Sequence, residues 1–179
     1  MAKFNYNQDF KTIDFRKHPE LYQVGVGEQG VLLVEPYKSE LLPHWRFRTP
    51  EIAKESSKKL YDMFLEYKAK DDFVGMDMAR KFLQMGWTRS RRYANHKTGR
   101  KWNADKSEVL AQEVDSVKAE SAAIFYDVYV KAREDKDYQT MMLEHRTRYE
   151  GFVQKAVTQK KVSKTLGSKK RSLRSAASK

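Results

Sequence analysis

The chain contains no cysteine. Disulfides, cysteine metal sites and thiol catalysis are excluded, which suits a reducing compartment. Its four histidines, His18, His44, His96 and His145, offer no pair at a metal-ligand spacing such as HxxxH, so no metal site is expected. No apolar run approaches the ~20 residues that a membrane-crossing helix needs. The opening MAKFNYNQDF has no apolar signal core. Internal repeats and heptad runs are also missing.

The most informative absence is of acid. Residues 80–102, RKFLQMGWTRSRRYANHKTGRKW, hold eight Lys or Arg and no Asp or Glu. Residues 154–179 hold nine Lys or Arg and again no acid. Together these stretches exceed the net charge of +12, so the rest of the chain is net acidic. Positive charge gathered in two places points to a polyanionic partner: nucleic acid, an anionic membrane face or an acidic protein.

Within 80–102, Phe82, Trp87, Tyr93 and Trp102 are interleaved with the cations. Cations beside aromatic rings suit a partner that has both phosphates and bases. Arg89, Arg91 and Arg92 are the leading candidates, since guanidinium forks bind phosphate bidentately and stack on rings. His96, Lys97, Arg100 and Lys101 extend the phosphate-binding set, and Trp87 and Trp102 are candidates for base stacking. Arg46 and Arg48, beside His44 and Trp45, form a smaller basic and aromatic cluster. In the tail, Lys160, Lys161, Lys169, Lys170, Arg171 and Arg174 are the candidate contacts.

A chain of 179 residues with 40% hydrophobic content is long enough to bury a core. One domain is expected over residues 1–153, followed by a basic, flexible tail over 154–179. Residues 1–20 read as an irregular arm anchored by Phe4, Tyr6, Phe10, Ile13 and Phe15. A β-hairpin is expected from strands near 21–26 and 31–37, with a third strand over 45–48. GVGEQG, residues 25–30, matches the dinucleotide fingerprint by letter, but strand-like VLLVEPY follows instead of a helix. It reads as a turn, and no cofactor is expected.

The rest is helical. Thr49, Pro50 and Glu51 open a helix over 50–69 with an apolar stripe through Leu60, Phe64 and Tyr67. A second helix starts after Asp72 and is expected to end at Gly86, with a short basic helix over 89–95 beyond it. Further helices are expected over about 107–133 and 136–153. The predicted class is α+β, mostly helical, with a small hairpin or three-stranded sheet packed on a helical bundle.

Two segments resemble a known family. IDFRKHPELYQVGVGEQGVLLVEPYKSELLPHWRFRTPEIA and DFVGMDMARKFLQMGWTRSRRYANHKTGRKW are similar to a family catalogued as domain of unknown function 4385, over roughly residues 4–150. The resemblance implies a compact α+β domain with members in bacteria, plants and tailed phages. It carries no established activity and no catalytic residue.

The function expected is non-enzymatic nucleic-acid binding, to DNA or RNA, with low sequence specificity, through the basic and aromatic surface and the tail. Two alternatives stay open. One is a structural or assembly component of a phage particle or other large complex, with an acidic protein as partner. The other is an enzyme on a phosphorylated or nucleotide substrate, using Arg89, Arg92 and His96. The expected location is the cytoplasm, or a host cytoplasm or virion for a phage protein.

Overall fold

The structure is a computed structural model and describes residues 4–96, 98–110 and 115–151. Its elements are α1 (Tyr37–Leu41), α2 (Pro50–Ala69), α3 (Phe73–Asn95), α4 (Ser116–Arg133) and α5 (Lys136–Tyr149). Each of the four longer helices has a side chain at its start that takes up an otherwise unpaired backbone N–H. Ile52 N–H donates to Thr49 Oγ1 and Gly75 N–H to Asp72 Oδ1. Lys118 N–H donates to Asp115 Oδ1 and Tyr138 N–H to Asp135 Oδ1. Asp135 also receives Lys68 Nζ at 2.6 Å, which ties the start of α5 to the end of α2.

No strand or sheet is present among the described residues, so the expected hairpin and three-stranded sheet are corrected to an all-helical fold. The reason lies in the burial pattern of residues 31–34. Val31 and Val34 are buried while Leu32 is 45% exposed, a spacing of three and not of two. Leu33 N–H and Val34 N–H both donate to Gly30 O, and Lys38 N–H donates to Val34 O, so the segment turns helically into α1. Gly27 and Gly30 have φ of 62° and 80°, and their chain turns the Gly27 and Gln29 carbonyls toward Arg80 and Lys81 on α3. Acceptors that a strand would offer to a neighbour are used by those side chains. Trp102 and Val109 form an isolated antiparallel bridge outside any named strand.

The chain before α1 lies against the helices through aromatic rings. Phe4 and Phe10 stack at 6.0 Å, and Phe10 and Phe15 at 5.7 Å, all three buried. Tyr22 continues the row, with its ring edge-on to Phe15 and Phe73.

α3 is the central helix, and every residue from Phe73 to Leu83 is buried. The helix does not stop at Gly86 but runs on to Asn95, so the separate helix over 89–95 is its last two turns. Gly86 serves the crossing with α4: a Cβ there would lie 2.3 Å from Phe125 Cδ1. The glycine is a flat spot for a ring and not a stop signal. α4 begins at Ser116, later than the expected 107, because Asp115 caps it there.

Candidate functional site

Residues 45–48 follow a short 3₁₀ turn, Leu42–His44, which Trp45 leaves in extended conformation. Arg46 N–H donates to Ser56 Oγ at 3.0 Å, and that hydroxyl donates to His44 O at 2.6 Å. The segment is thereby pinned to α2. Burial alternates along the segment. Trp45 and Phe47 pack inward and are half-buried, while Arg46 and Arg48 are exposed. The Trp45 and Phe47 rings lie 5.0 Å apart at 53°, and Phe47 lies 6.1 Å from Tyr93 of α3 at 34°. Behind them, Trp45 meets Phe82 edge-on at 6.3 Å.

Together with Lys118 from the first turn of α4, these residues line a cleft of about 350 Å³: Trp45, Arg46, Phe47, Arg48, Tyr93 and Lys118. Three are aromatic, three are cationic and none is acidic. Lys118 Nζ donates to the Arg48 carbonyl, which fastens the extended segment to α4. Arg46 Nη1 donates to the Leu42 and Trp45 carbonyls, which holds its guanidinium at the cleft edge. The loop after α3 supports the far wall, where a Cβ on Gly99 would lie 2.7 Å from Tyr93 Cε1.

The structure sorts the candidates of the basic stretch into distinct places. Arg89 is half-buried one turn before Tyr93 on the same side of α3. Arg91, Arg92, Arg100 and Lys101 are exposed. Trp102 is 43% exposed, with Lys101 Nζ 5.8 Å from its ring centre. Trp87 turns instead to α4 and stacks on Tyr129 at 5.8 Å and 18°. His96 is buried and caps the end of α3, with its N–H donating to Arg92 O. Lys97 and the tail candidates Lys160, Lys161, Lys169, Lys170, Arg171 and Arg174 lie outside the described residues.

Arg80 and Lys81, at the head of the basic stretch, point away from solvent. Asp77 Oδ1 accepts from Arg80 Nη2 at 2.7 Å and from Tyr138 Oη at 2.6 Å, and Oδ2 accepts from Tyr22 Oη. Lys81 Nζ lies 3.4 Å from Asp77 Oδ2 and donates to Gln29 O at 2.7 Å. Burial by itself raises the Asp77 pKa, but the charges of Arg80 and Lys81 and the two tyrosine hydroxyls hold it well below the usual carboxylate range. Burial, followed by the neighbouring Asp77 charge, pushes the Tyr22 hydroxyl well up. Burial lowers Lys81 against the pull of Asp77. This cluster joins the N-terminal segment, α3 and α5, and its cations are spent on the fold.

A second cleft, of about 410 Å³, lies between Arg16, the turn before α3 and α5. Its cations Arg16, Lys70 and Arg148 are mixed with Asp71, Asp72 and Glu144. Arg16 is already bound by Glu40 through two bonds of 2.8 and 2.7 Å. Charges of both signs and internal pairing leave it without the one-sided character of the first cleft. Among the described residues, no group of three His, Asp or Glu is placed to hold a metal ion. Also among these residues, no helix is long and apolar enough to cross a membrane.

The family described as Domain of unknown function (DUF4385) matches residues 5–148. The chain belongs to this family. All six cleft residues fall inside the DUF4385 segment, whereas the basic residues from Lys155 onward fall outside it. No curated protein and no solved structure matches the chain. The family description gives no activity to carry over, so the chemistry must be read from the residues.

Two partners in the cleft escape a reading of the sequence as a site. Lys118 stands far from both basic stretches on a helix of mixed charge. Phe47 falls in the 45–48 segment, which reads from the sequence as a third strand and not as a site. The signal that finds both is spatial: one ring cluster with cations on its rim.

Proposed function

We propose that the protein is a non-enzymatic nucleic-acid-binding protein of low sequence specificity. The observation that carries this reading is the cleft of three rings and three cations with no carboxylate in its lining. Cations on a rim attract phosphates and release their counterions, and rings accept the face of any base. Such a site selects a nucleic acid over a simple anion, and it discriminates weakly among sequences. Exposed Arg91, Arg92, Arg100 and Lys101 enlarge the positive field on approach. The 154–179 tail, rich in Lys and Arg, adds phosphate contacts on this reading. The protein then works where nucleic acid is accessible, in a cytoplasm or within a virion.

The test is fluorescence anisotropy of the full chain with labelled DNA and RNA over a range of salt. The affinity is expected to fall steeply with salt. In the Arg46→Ala/Arg48→Ala variant, the slope of log K against log salt should shrink by about one to two. A flat salt response, or a variant with an unchanged slope and affinity, would overturn the reading.

A further inference from the structure

We infer that the cleft takes an unpaired base, so that the protein prefers single-stranded over duplex nucleic acid. The inference rests on the nucleic-acid reading above and names which form of nucleic acid the site accepts. It follows from which parts of the polymer the lining can touch.

Three side chains of the lining are rings: Trp45 and Phe47, half-buried, and Tyr93, 40% exposed. A duplex keeps its base faces inside the stack and offers only base edges, sugars and phosphates to a protein. A ring floor has no partner there. An unpaired base offers its face, and face-to-ring contact requires no match to the sequence.

The cations fit the same occupant. Arg46 and Arg48 are two residues apart and both exposed, so one short segment presents two cations beside the rings. Two cations on one segment suit neighbouring phosphates of one strand. Both line the cleft with the rings, and Lys118 from α4 joins them beside Arg48, whose carbonyl it bonds. Backbone phosphates on the arginine side with a base turned onto the rings satisfy both halves of the lining at once. The cleft is held by the Lys118 bond to the Arg48 carbonyl and by Ser56, so it is preformed and needs no rearrangement to accept a base.

The experiment uses the full chain and four fluorescent probes: an oligothymidine, a duplex of equal length, a single strand of mixed sequence, and an abasic strand with every phosphate retained. The expected result is that both base-bearing single strands bind at least about tenfold more tightly than the duplex and the abasic strand. Binding should quench tryptophan fluorescence, and Trp45→Phe should remove that quench. Phe47→Leu with Tyr93→Leu should bring oligothymidine down to the level of the abasic strand, with the salt slope kept. Equal or tighter duplex binding, or an abasic strand that binds as well as oligothymidine, would overturn the inference and leave nucleic-acid binding standing. Probes that all fail to bind would overturn both. The wild-type comparison of the four probes decides the matter even where a ring variant fails to fold.

Discussion

Asp77 and Arg80 stand one turn apart on α3, with Arg80 Nη2 2.7 Å from Asp77 Oδ1 and both side chains buried. The pair has Lys81, Tyr22 and Tyr138 as further members, so a single carboxylate balances two cations inside the bundle. A helix buried on all sides is ordinarily apolar all round. Here the charges are tolerated because each finds a partner across an element boundary.

Replacing Asp77 by Asn keeps the shape but removes the negative charge. Arg80 and Lys81 are then left buried without their counter-charge, a change that costs about 3–5 kcal/mol when one partner of a buried pair is removed. Chemical unfolding monitored by circular dichroism is expected to show that loss. A variant as stable as the parent would mean that the cluster contributes nothing to the fold.

Gly86→Ala sets two effects against each other. Alanine is a better helix former by about 1 kcal/mol. The added Cβ, however, would lie 2.3 Å from Phe125 Cδ1, and the ring must move. Overpacking of this kind costs about 1–3 kcal/mol, so the net change is a loss. A double-mutant cycle with Phe125→Leu should show a favourable coupling, because the smaller side chain relieves the clash. Simple additivity in the cycle would argue against contact between the two.

Acidification should lower the melting temperature in two steps. Burial depresses His145 below its ordinary value of 6.5, with the bond from its ring to Tyr22 O acting the other way. Between its folded and unfolded values the unfolded chain binds more protons, so this stability is present above pH 6.5 and lost as pH falls below it. Asp77 is depressed as well, and its contribution is present above 3.8 and lost as pH falls further toward its folded value. His145→Gln should remove the first step and leave the second. An unchanged profile in that variant would refute the assignment.

Trp87→Phe separates packing from binding. Trp87 stacks on Tyr129 and meets Tyr126 at 4.8 Å, away from the ring cluster of Trp45, Phe47 and Tyr93. The variant is expected to melt lower by a few degrees, in line with a loss of about 1 kcal/mol, and to bind labelled oligonucleotide with unchanged affinity. A large drop in affinity at unchanged stability would instead bring Trp87 into the binding surface.

The helices were legible where local chemistry decides them. Thr49 with Pro50, and Asp72, mark the starts of α2 and α3, and the apolar stripe through Leu60, Phe64 and Tyr67 marks the buried face of α2. Gly86 was misleading because glycine has two uses. It ends helices by its backbone freedom and it lets a ring approach, and only the position of Phe125 distinguishes them. Val31–Val34 misled in the same way, as four apolar residues suit a strand as well as a helical turn. The side chains of Arg80 and Lys81 chose the turn by binding the carbonyls of Gly27 and Gln29.

The amino-acid sequence by itself determined that the chain is basic, that α2 and α3 start after Thr49 and Asp72, that rings are set among cations, and that thiol chemistry has no cysteine to use. Those are properties of composition and of neighbours in the chain. Tertiary structure alone decided which cations face solvent: it turned Arg80 and Lys81 inward onto Asp77 and brought Lys118 beside Arg48. The physical reason is that a buried charge is held only when all its partners are in place, and Tyr22, Tyr138 and the Gly27 and Gln29 carbonyls that complete the Asp77 cluster, like the Arg48 carbonyl for Lys118, lie in other elements of the fold.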